Sequence, residues 1–367
     1  MRRCSVCGRE ERAIAHVLGV CRTCIVERFD DCREKIQSVQ RETRHEFNLP
    51  VAPPEAVEGV ECGLCVNRCR IGAGESGYCT VQEAAADSDG ALRLKARDGR
   101  VSWYYDPLPT NCVASWVCGE GEKTDRPRFP PRSNLAVFYG TCSFNCLFCQ
   151  NWHFRDGAHT PRHKNDKSLL DAVQEHVACI CYFGGDPVSQ MEHSLRVSRE
   201  ALRRRGGQPL RICWETNGSM SRGLLRQAAD LSIESGGCIK FDLKAWDEPL
   251  HIALTGATNR QTLENFSWLA EKHRERPDPP LLIASSLLVP GYIGISQVKS
   301  IARFIAECDP TIPYSLLGFH PDFFLGDLPT TSLDHAQACQ EAALGEGLLN
   351  VHLGNCHLLS REKYDFR

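Results

Sequence analysis

From about residue 133 onward the chain alternates between short apolar runs and longer stretches of helical periodicity. The apolar runs are "NLAVFYG", "ACICYFGG", "LRICWETNG", "CIKFDLK", "PLLIASSLLVPG" and "IPYSLLGFHP". Between them lie "SLLDAVQEHV", "HSLRVSREALRRR", "RQTLENFSWLAEKHRER" and "SQVKSIARFIAEC", whose apolar positions recur at three and four residues. Strands alternating with helices predict βα units and a parallel sheet. Six such units predict an α/β fold, a partial (βα)6 TIM-like barrel, and "LLNVHLGN" is a candidate extra strand near the end. Each run is followed by glycine, a charged or hydroxyl residue, or histidine. In βα barrels the carboxyl ends of the strands carry the active site, so these strand ends are the place to look for chemistry.

Upstream the texture differs. Residues 1–48 hold two cysteine pairs and a charged stretch without a helix breaker, "VERFDDCREKIQSVQRETRHEF". "LPVAPPEAVEG" then reads as a linker. Residues 60 to about 130 are rich in Cys and Gly, weak in periodicity, and end in "DRPRFPPR". The expected division is therefore a zinc-ribbon-like segment with a helix (1–48), a cysteine-rich metal-binding segment (49–130), the barrel (131–330), and a C-terminal helix and strand (331–367). The first segment is expected to behave as a separate metal unit.

The net charge of -3 over 367 residues excludes a broad basic surface, so nucleic acid is not an expected partner. No apolar run approaches the ~20 residues of a membrane span, and the start "MRRCSVCGRE" has no secretory pattern, so a cytoplasmic location is expected. Cysteine changes the picture most. There are 21, eleven of them in the first 118 residues, and in a reducing cytosol such clustering signals metal. Cys4-x2-Cys7 and Cys21-x2-Cys24 have zinc-ribbon spacing, with a rubredoxin-like iron as the rival. Cys62, Cys65, Cys69 and Cys79 form a closed set of four, suited to an auxiliary iron–sulfur cluster or a zinc. Cys112 and Cys118 either join that region or are free. Scattered cysteines such as Cys213, Cys308 and Cys339 read as ordinary buried thiols.

The opening of the barrel carries "GTCSFNCLFCQNW", with Cys142, Cys146 and Cys149 at C-x3-C-x2-C. Three thiolates leave one iron of a four-iron cluster without a protein ligand, and an open position is what a metal site needs to do chemistry. The bland alternative is a zinc that borrows His153. The stretch resembles the signature of the radical S-adenosylmethionine (SAM) superfamily, with Phe148 as its aromatic residue. "CQNWHF", "YFGGDP", "ETNG", "KFDLKAWD", "LTGATNRQTLENF", "LLVPGY" and "FHPDFFLGDLPTTS" resemble, in order, the pyruvate formate-lyase activating-enzyme group. The branch most similar is the AmmeMemoRadiSam system radical SAM enzymes, with "CGLCVNRCRIGAGESGYC" upstream and "VHLGNC" late.

That resemblance implies a 4Fe-4S cluster on Cys142, Cys146 and Cys149, with the free iron chelated by SAM. It implies reductive cleavage of SAM to methionine and a 5′-deoxyadenosyl radical that abstracts hydrogen. By the same resemblance Gly184, Gly185 and Asp186 meet the methionine amino group, and Glu215, Thr216 and Asp242 hold a monovalent cation beside the carboxylate. Lys244 contacts the carboxylate or ribose, and His320 the ribose. Asp186 stands where the activating enzymes usually carry Glu. The implied partners are reduced ferredoxin or flavodoxin as electron donor and a protein whose glycyl residue is the substrate. A small molecule or another modification target is the alternative, and a non-enzymatic metal-binding interaction protein a further one.

Overall fold

The computed structural model describes residues 1–94, 99–108, 112–120, 131–157 and 163–366. Seven parallel strands, β1 (Ser133–Tyr139), β2 (Val177–Phe183), β3 (Arg211–Thr216), β4 (Ile239–Asp242), β5 (Leu282–Leu288), β6 (Tyr314–Gly318) and β7 (Val351–Gly354), pair in sequential order. Sequential parallel order follows when every crossover has the same hand, and it winds the sheet toward a barrel. The six expected strands are all present, and "LLNVHLGN" supplies β7 beside β6.

The strands read as near-continuous apolar runs because both faces are covered. Tyr182, Trp214 and Phe241 point outward and are fully buried under the helices, the rings of Tyr182 and Trp214 stacked at 5.7 Å. Five helices, Met191–Arg205, Arg222–Ser235, Arg260–His273, Ile295–Cys308 and Leu333–Gly345, form the outer layer. Side chains two residues apart share a face of a strand. Cys179, Cys181 and Phe183 on β2, Cys213 and Glu215 on β3, and Lys240 and Asp242 on β4 therefore all face inward.

Two features depart from the sequence reading. A nine-residue strand, Gly99–Pro107, runs antiparallel along β1 from within the section read as aperiodic. On its other side the two-residue strand His163–Lys164 pairs with Gly99 and Arg100; Tyr104 and Tyr105 stay exposed, so its alternation is too shallow to read. The N-terminal 48 residues also do not form a detached unit. Helix Phe29–His45 buries Cys32, Ile36 and Val39, and these join Ile14, Leu18 and Ile25 in the same apolar core as the barrel strands. Tyr292 stitches the two, its hydroxyl donating to Val20 O (3.2 Å) and accepting from Ala15 N (3.0 Å). The stretch "DRPRFPPR" at 125–132 lies almost wholly outside the described residues. Among the described residues no helix is long and apolar enough to cross a membrane.

Candidate active site

At the carboxyl ends of the parallel strands is a cleft of about 170 Å³. Its floor is the loop after β1, which brings Cys142, Cys146, Phe148 and Cys149 to one side. Opposite stand Gly184, Gly185 and Asp186 after β2, Glu215 at the end of β3, Asp242 and Lys244 at β4, and Ser285 and Ser286 on β5. Residues far apart in sequence thus meet because each ends a strand of one sheet.

The cysteine loop has no regular structure and is held by side chains instead. Asn145 Nδ2 donates to Gln40 Oε1 and Thr43 Oγ1 (both 2.8 Å), and its Oδ1 accepts from Arg155. Asn145 N and Leu147 N donate to Thr255 O and Leu254 O. Asn67 Nδ2 reaches Ser143 O at 2.8 Å from the upstream cysteine-rich segment. Helix Phe29–His45 and the cysteine-rich segment therefore both brace the loop. Burial pushes the Cys146 thiol up to about 12 and Cys142 well above its ordinary value. Such thiols ionise only when a metal rewards the thiolate, as a coordinating ion does. His153, the rival zinc ligand, is exposed and lies against the Trp152 ring at 3.8 Å.

Gly184 and Gly185 have φ of +66° and +56°. A Cβ at Gly184 would lie 2.0 Å from the Phe138 ring, and one at Gly185 2.2 Å from Tyr139 O. Glycine is required there by both conformation and space. Asp186 is 4% exposed. Its Oδ1 accepts from Val188 N (2.8 Å) and Thr216 Oγ1 (3.0 Å), and its Oδ2 from Asn217 N (2.7 Å). Burial raises its pKa to about 6, with these three donors opposing the shift. It ties β2 to β3 and also lines the cleft. Thr216 acts through Asp186 and does not line the cleft.

Lys244 Nζ donates to Asp242 Oδ2 at 2.6 Å, and Ser285 Oγ donates to Asp242 Oδ1 at 2.6 Å. Burial lowers the lysine pKa, and Asp242 and the nearby Cys146 more than offset it, so Lys244 stays charged. Beside Glu215, Oε2 lies 3.3 Å from Nζ of Lys240, a residue with no exposed side-chain surface. A resident ammonium thus faces Glu215. His320 is exposed and is absent from the cleft lining.

Sequence reading missed Lys240, Arg155, Asn217, Ser285 and Ser286. For Lys240 the signal was present: in "KFDLK" it alternates with Asp242 and must share its face. Arg155 is fully buried with Nε and one terminal nitrogen unpartnered, and it borders the cleft. Nothing in "NWHFRD" marks it.

Residues 136–304 match the family model described as the Radical SAM superfamily. The chain carries a radical SAM domain. An uncharacterized protein of Methanocaldococcus jannaschii is 26% identical over 302 residues, 81% of each chain. The isethionate sulfite-lyase activating enzyme of Desulfovibrio desulfuricans is 35% identical over 37% of this chain and 40% of that one. The pyruvate formate-lyase 1-activating enzyme of Escherichia coli (strain K12) is 27% identical over 39% of this chain and 58% of that one. These likenesses support a place for this radical SAM enzyme in the pyruvate formate-lyase activating-enzyme-like group. The matches span less than two thirds of both activating enzymes. Radical SAM membership implies a 4Fe-4S cluster and SAM, and three thiols opening on a charged cleft, Cys146 buried and Cys142 and Cys149 half-buried, are the right donor set for them.

Two further cysteine sets have different geometries. The four sulfur atoms of Cys4, Cys7, Cys21 and Cys24 lie within 4.8 Å of one another, Cys7 and Cys21 at 3.8 Å. Tetrahedral zinc with Zn–S ≈ 2.3 Å puts its sulfurs about 3.8 Å apart. Among the described residues no other group of His, Cys, Asp or Glu is drawn that tight. The segment carrying Cys62, Cys65, Cys69 and Cys79 docks on the loop after β3: Val66 N donates to Ser219 O, and Ser221 N to Leu64 O. Cys79 and Cys142 border one small cavity, with Arg44 and Arg155.

Proposed function

We propose that this radical SAM enzyme is of the activating type, abstracting hydrogen from a glycyl residue of a partner protein, and that it belongs to the AmmeMemoRadiSam branch. The observation that carries the reading is the joint lining of one cleft by Cys142, Cys146 and Cys149 and by the charged strand ends Asp186, Glu215, Asp242 and Lys244. When bound, the cluster supplies the electron that cleaves SAM reductively to methionine and a 5′-deoxyadenosyl radical. The rest is done by this chain. Gly184, Gly185 and Asp186 present backbone and a carboxylate to the amino group of SAM. Phe148 flanks the cleft beside Lys244, whose ammonium meets the carboxylate or ribose after exchanging part of its bond to Asp242.

In this reading Lys240 supplies the positive charge beside Glu215 that a monovalent cation would otherwise bring, with Asp242 completing the polar wall and Thr216 acting through Asp186. His320 reaches the ribose only after a movement of the loop after β6. Cys4, Cys7, Cys21 and Cys24 hold zinc, which fixes a segment too small for a core of its own. Cys62, Cys65, Cys69 and Cys79 hold an auxiliary iron–sulfur cluster that receives electrons from reduced ferredoxin or flavodoxin. Their looser geometry and the cavity shared by Cys79 and Cys142 support that role.

The test is anaerobic turnover with candidate protein partners. An organic radical should appear on the partner, and its hyperfine splitting should collapse when the partner's glycine is deuterated. Deuterium from a small molecule, and none from protein, in the 5′-deoxyadenosine would refute the activating-type reading.

A further inference from the structure

The inward face of the barrel carries cysteine where such sheets ordinarily pack branched apolar residues. Cys179 and Cys181 come from β2, Cys213 from β3, and Cys238 precedes β4. Cys181 and Cys213 are neighbours in the β2–β3 register. A nine-residue segment, Cys112–Glu120, lies in the lumen opposite these strands. Trp116 Nε1 donates to Ser315 Oγ (3.0 Å) and Ser315 Oγ to Val113 O (3.1 Å), while Glu120 sits by Arg211 at the amino end of β3. The segment adds Cys112 and Cys118, so six sulfur atoms from four parts of the chain border one cavity, to whose lining the 142–149 loop contributes no residue.

Lys240 projects into this set. Its Nζ lies 3.0 Å from Cys181 Sγ and 3.1 Å from Cys112 Sγ. A fully buried ammonium requires good acceptors, and a protonated thiol is a poor one. Glu215 satisfies one donor, and the other two point at sulfur. Thiolates bound to a metal centre would be strong acceptors and would carry the negative charge the lysine lacks. The sulfur atoms are not gathered within 4.8 Å in threes, so a single tetrahedral ion does not match. A polynuclear centre does, because its thiolates sit on different metal atoms.

We propose that Cys112, Cys181, Cys213 and Cys238 ligate an iron–sulfur cluster inside the barrel, beneath the cleft, with Lys240 as the cationic partner of its thiolates. Cys118 and Cys179 line the same space and exclude water. The centre lies one ion pair from the cleft through Lys240 and Glu215. It makes the interior thiols a redox site where the sequence read them as ordinary packing.

The experiment uses the full chain, reconstituted anaerobically with iron and sulfide. In a variant with Cys62, Cys65, Cys142, Cys146 and Cys149 all replaced by Ala, about two or more irons with matching acid-labile sulfide should remain, as for the smallest cluster type. Sulfide separates this centre from a lone iron at the N-terminal cysteines. In the otherwise native chain, Cys213→Ala, Cys238→Ala should lose that same iron and sulfide while the SAM-perturbed paramagnetic signal persists. Cys339→Ala, at a buried thiol elsewhere, is the folding control. Absence of acid-labile sulfide from the five-fold variant overturns the proposal, as does undiminished iron and sulfide in the double variant. If the double variant does not fold, the five-fold variant decides alone.

Discussion

Asp186→Asn isolates what a buried carboxylate costs the barrel. The ordinary value is 3.8 and burial raises it to about 6 in the folded chain. A folded pKa above the unfolded one means that the protonated form is favoured by folding. The stability this group allows is complete below pH 3.8 and is lost as pH rises through about 6. The full loss is about 2 × 1.36, or roughly 3 kcal/mol. Between pH 5 and 8 about 1.4 kcal/mol of it is lost, since part has gone by pH 5. Asparagine removes that slope. It also sets an amide nitrogen against Asn217 N–H, a cost of about 1–3 kcal/mol that does not depend on pH. For a chain of this size, 1.4 kcal/mol corresponds to about 2 °C in Tm. Anaerobic thermal unfolding of both proteins at fixed scan rate, from pH 5 to 8, should show the wild-type lead over Asp186→Asn narrowing by about that amount. A lead that stays constant or widens would refute the buried-carboxylate reasoning.

Other outcomes follow from single contacts. Gly185→Ala forces a Cβ onto Tyr139 O at positive φ and should cost about 2–5 kcal/mol, read as a lowered Tm and loss of the cluster at the cysteine loop. Deleting residues 1–48 should yield insoluble or iron-poor protein, because the deletion strips Gln40 and Thr43 from Asn145 and uncovers Tyr292; a soluble chain with full iron content would contradict this. Cys65→Ala, Cys69→Ala should lose about four irons and keep the SAM-perturbed signal; loss of about one zinc and no iron would make that segment a structural clip.

The parallel sheet was legible because strands covered on both faces leave unbroken apolar runs, and the strand ends because polar residues punctuate those runs. "GTCSFNCLFCQNW" announced itself by spacing. What remained hidden was tertiary. Asn145 looks like any loop asparagine until helix Phe29–His45 is laid against it, so the N-terminal segment read as detachable. Cys181, Cys213 and Cys238 lack motif spacing because a sheet, not a loop, gathers them. Asp186 read as a ligand group, yet three protein donors also claim its carboxylate. His320 read as a ribose contact, yet it sits outside the cleft lining.

The most direct test of the central claim is cleavage of SAM itself. Reduced, anaerobically reconstituted wild-type protein should release 5′-deoxyadenosine, and Cys142→Ala, Cys146→Ala and Cys149→Ala should each release none. Continued 5′-deoxyadenosine formation by Cys146→Ala would contradict the account.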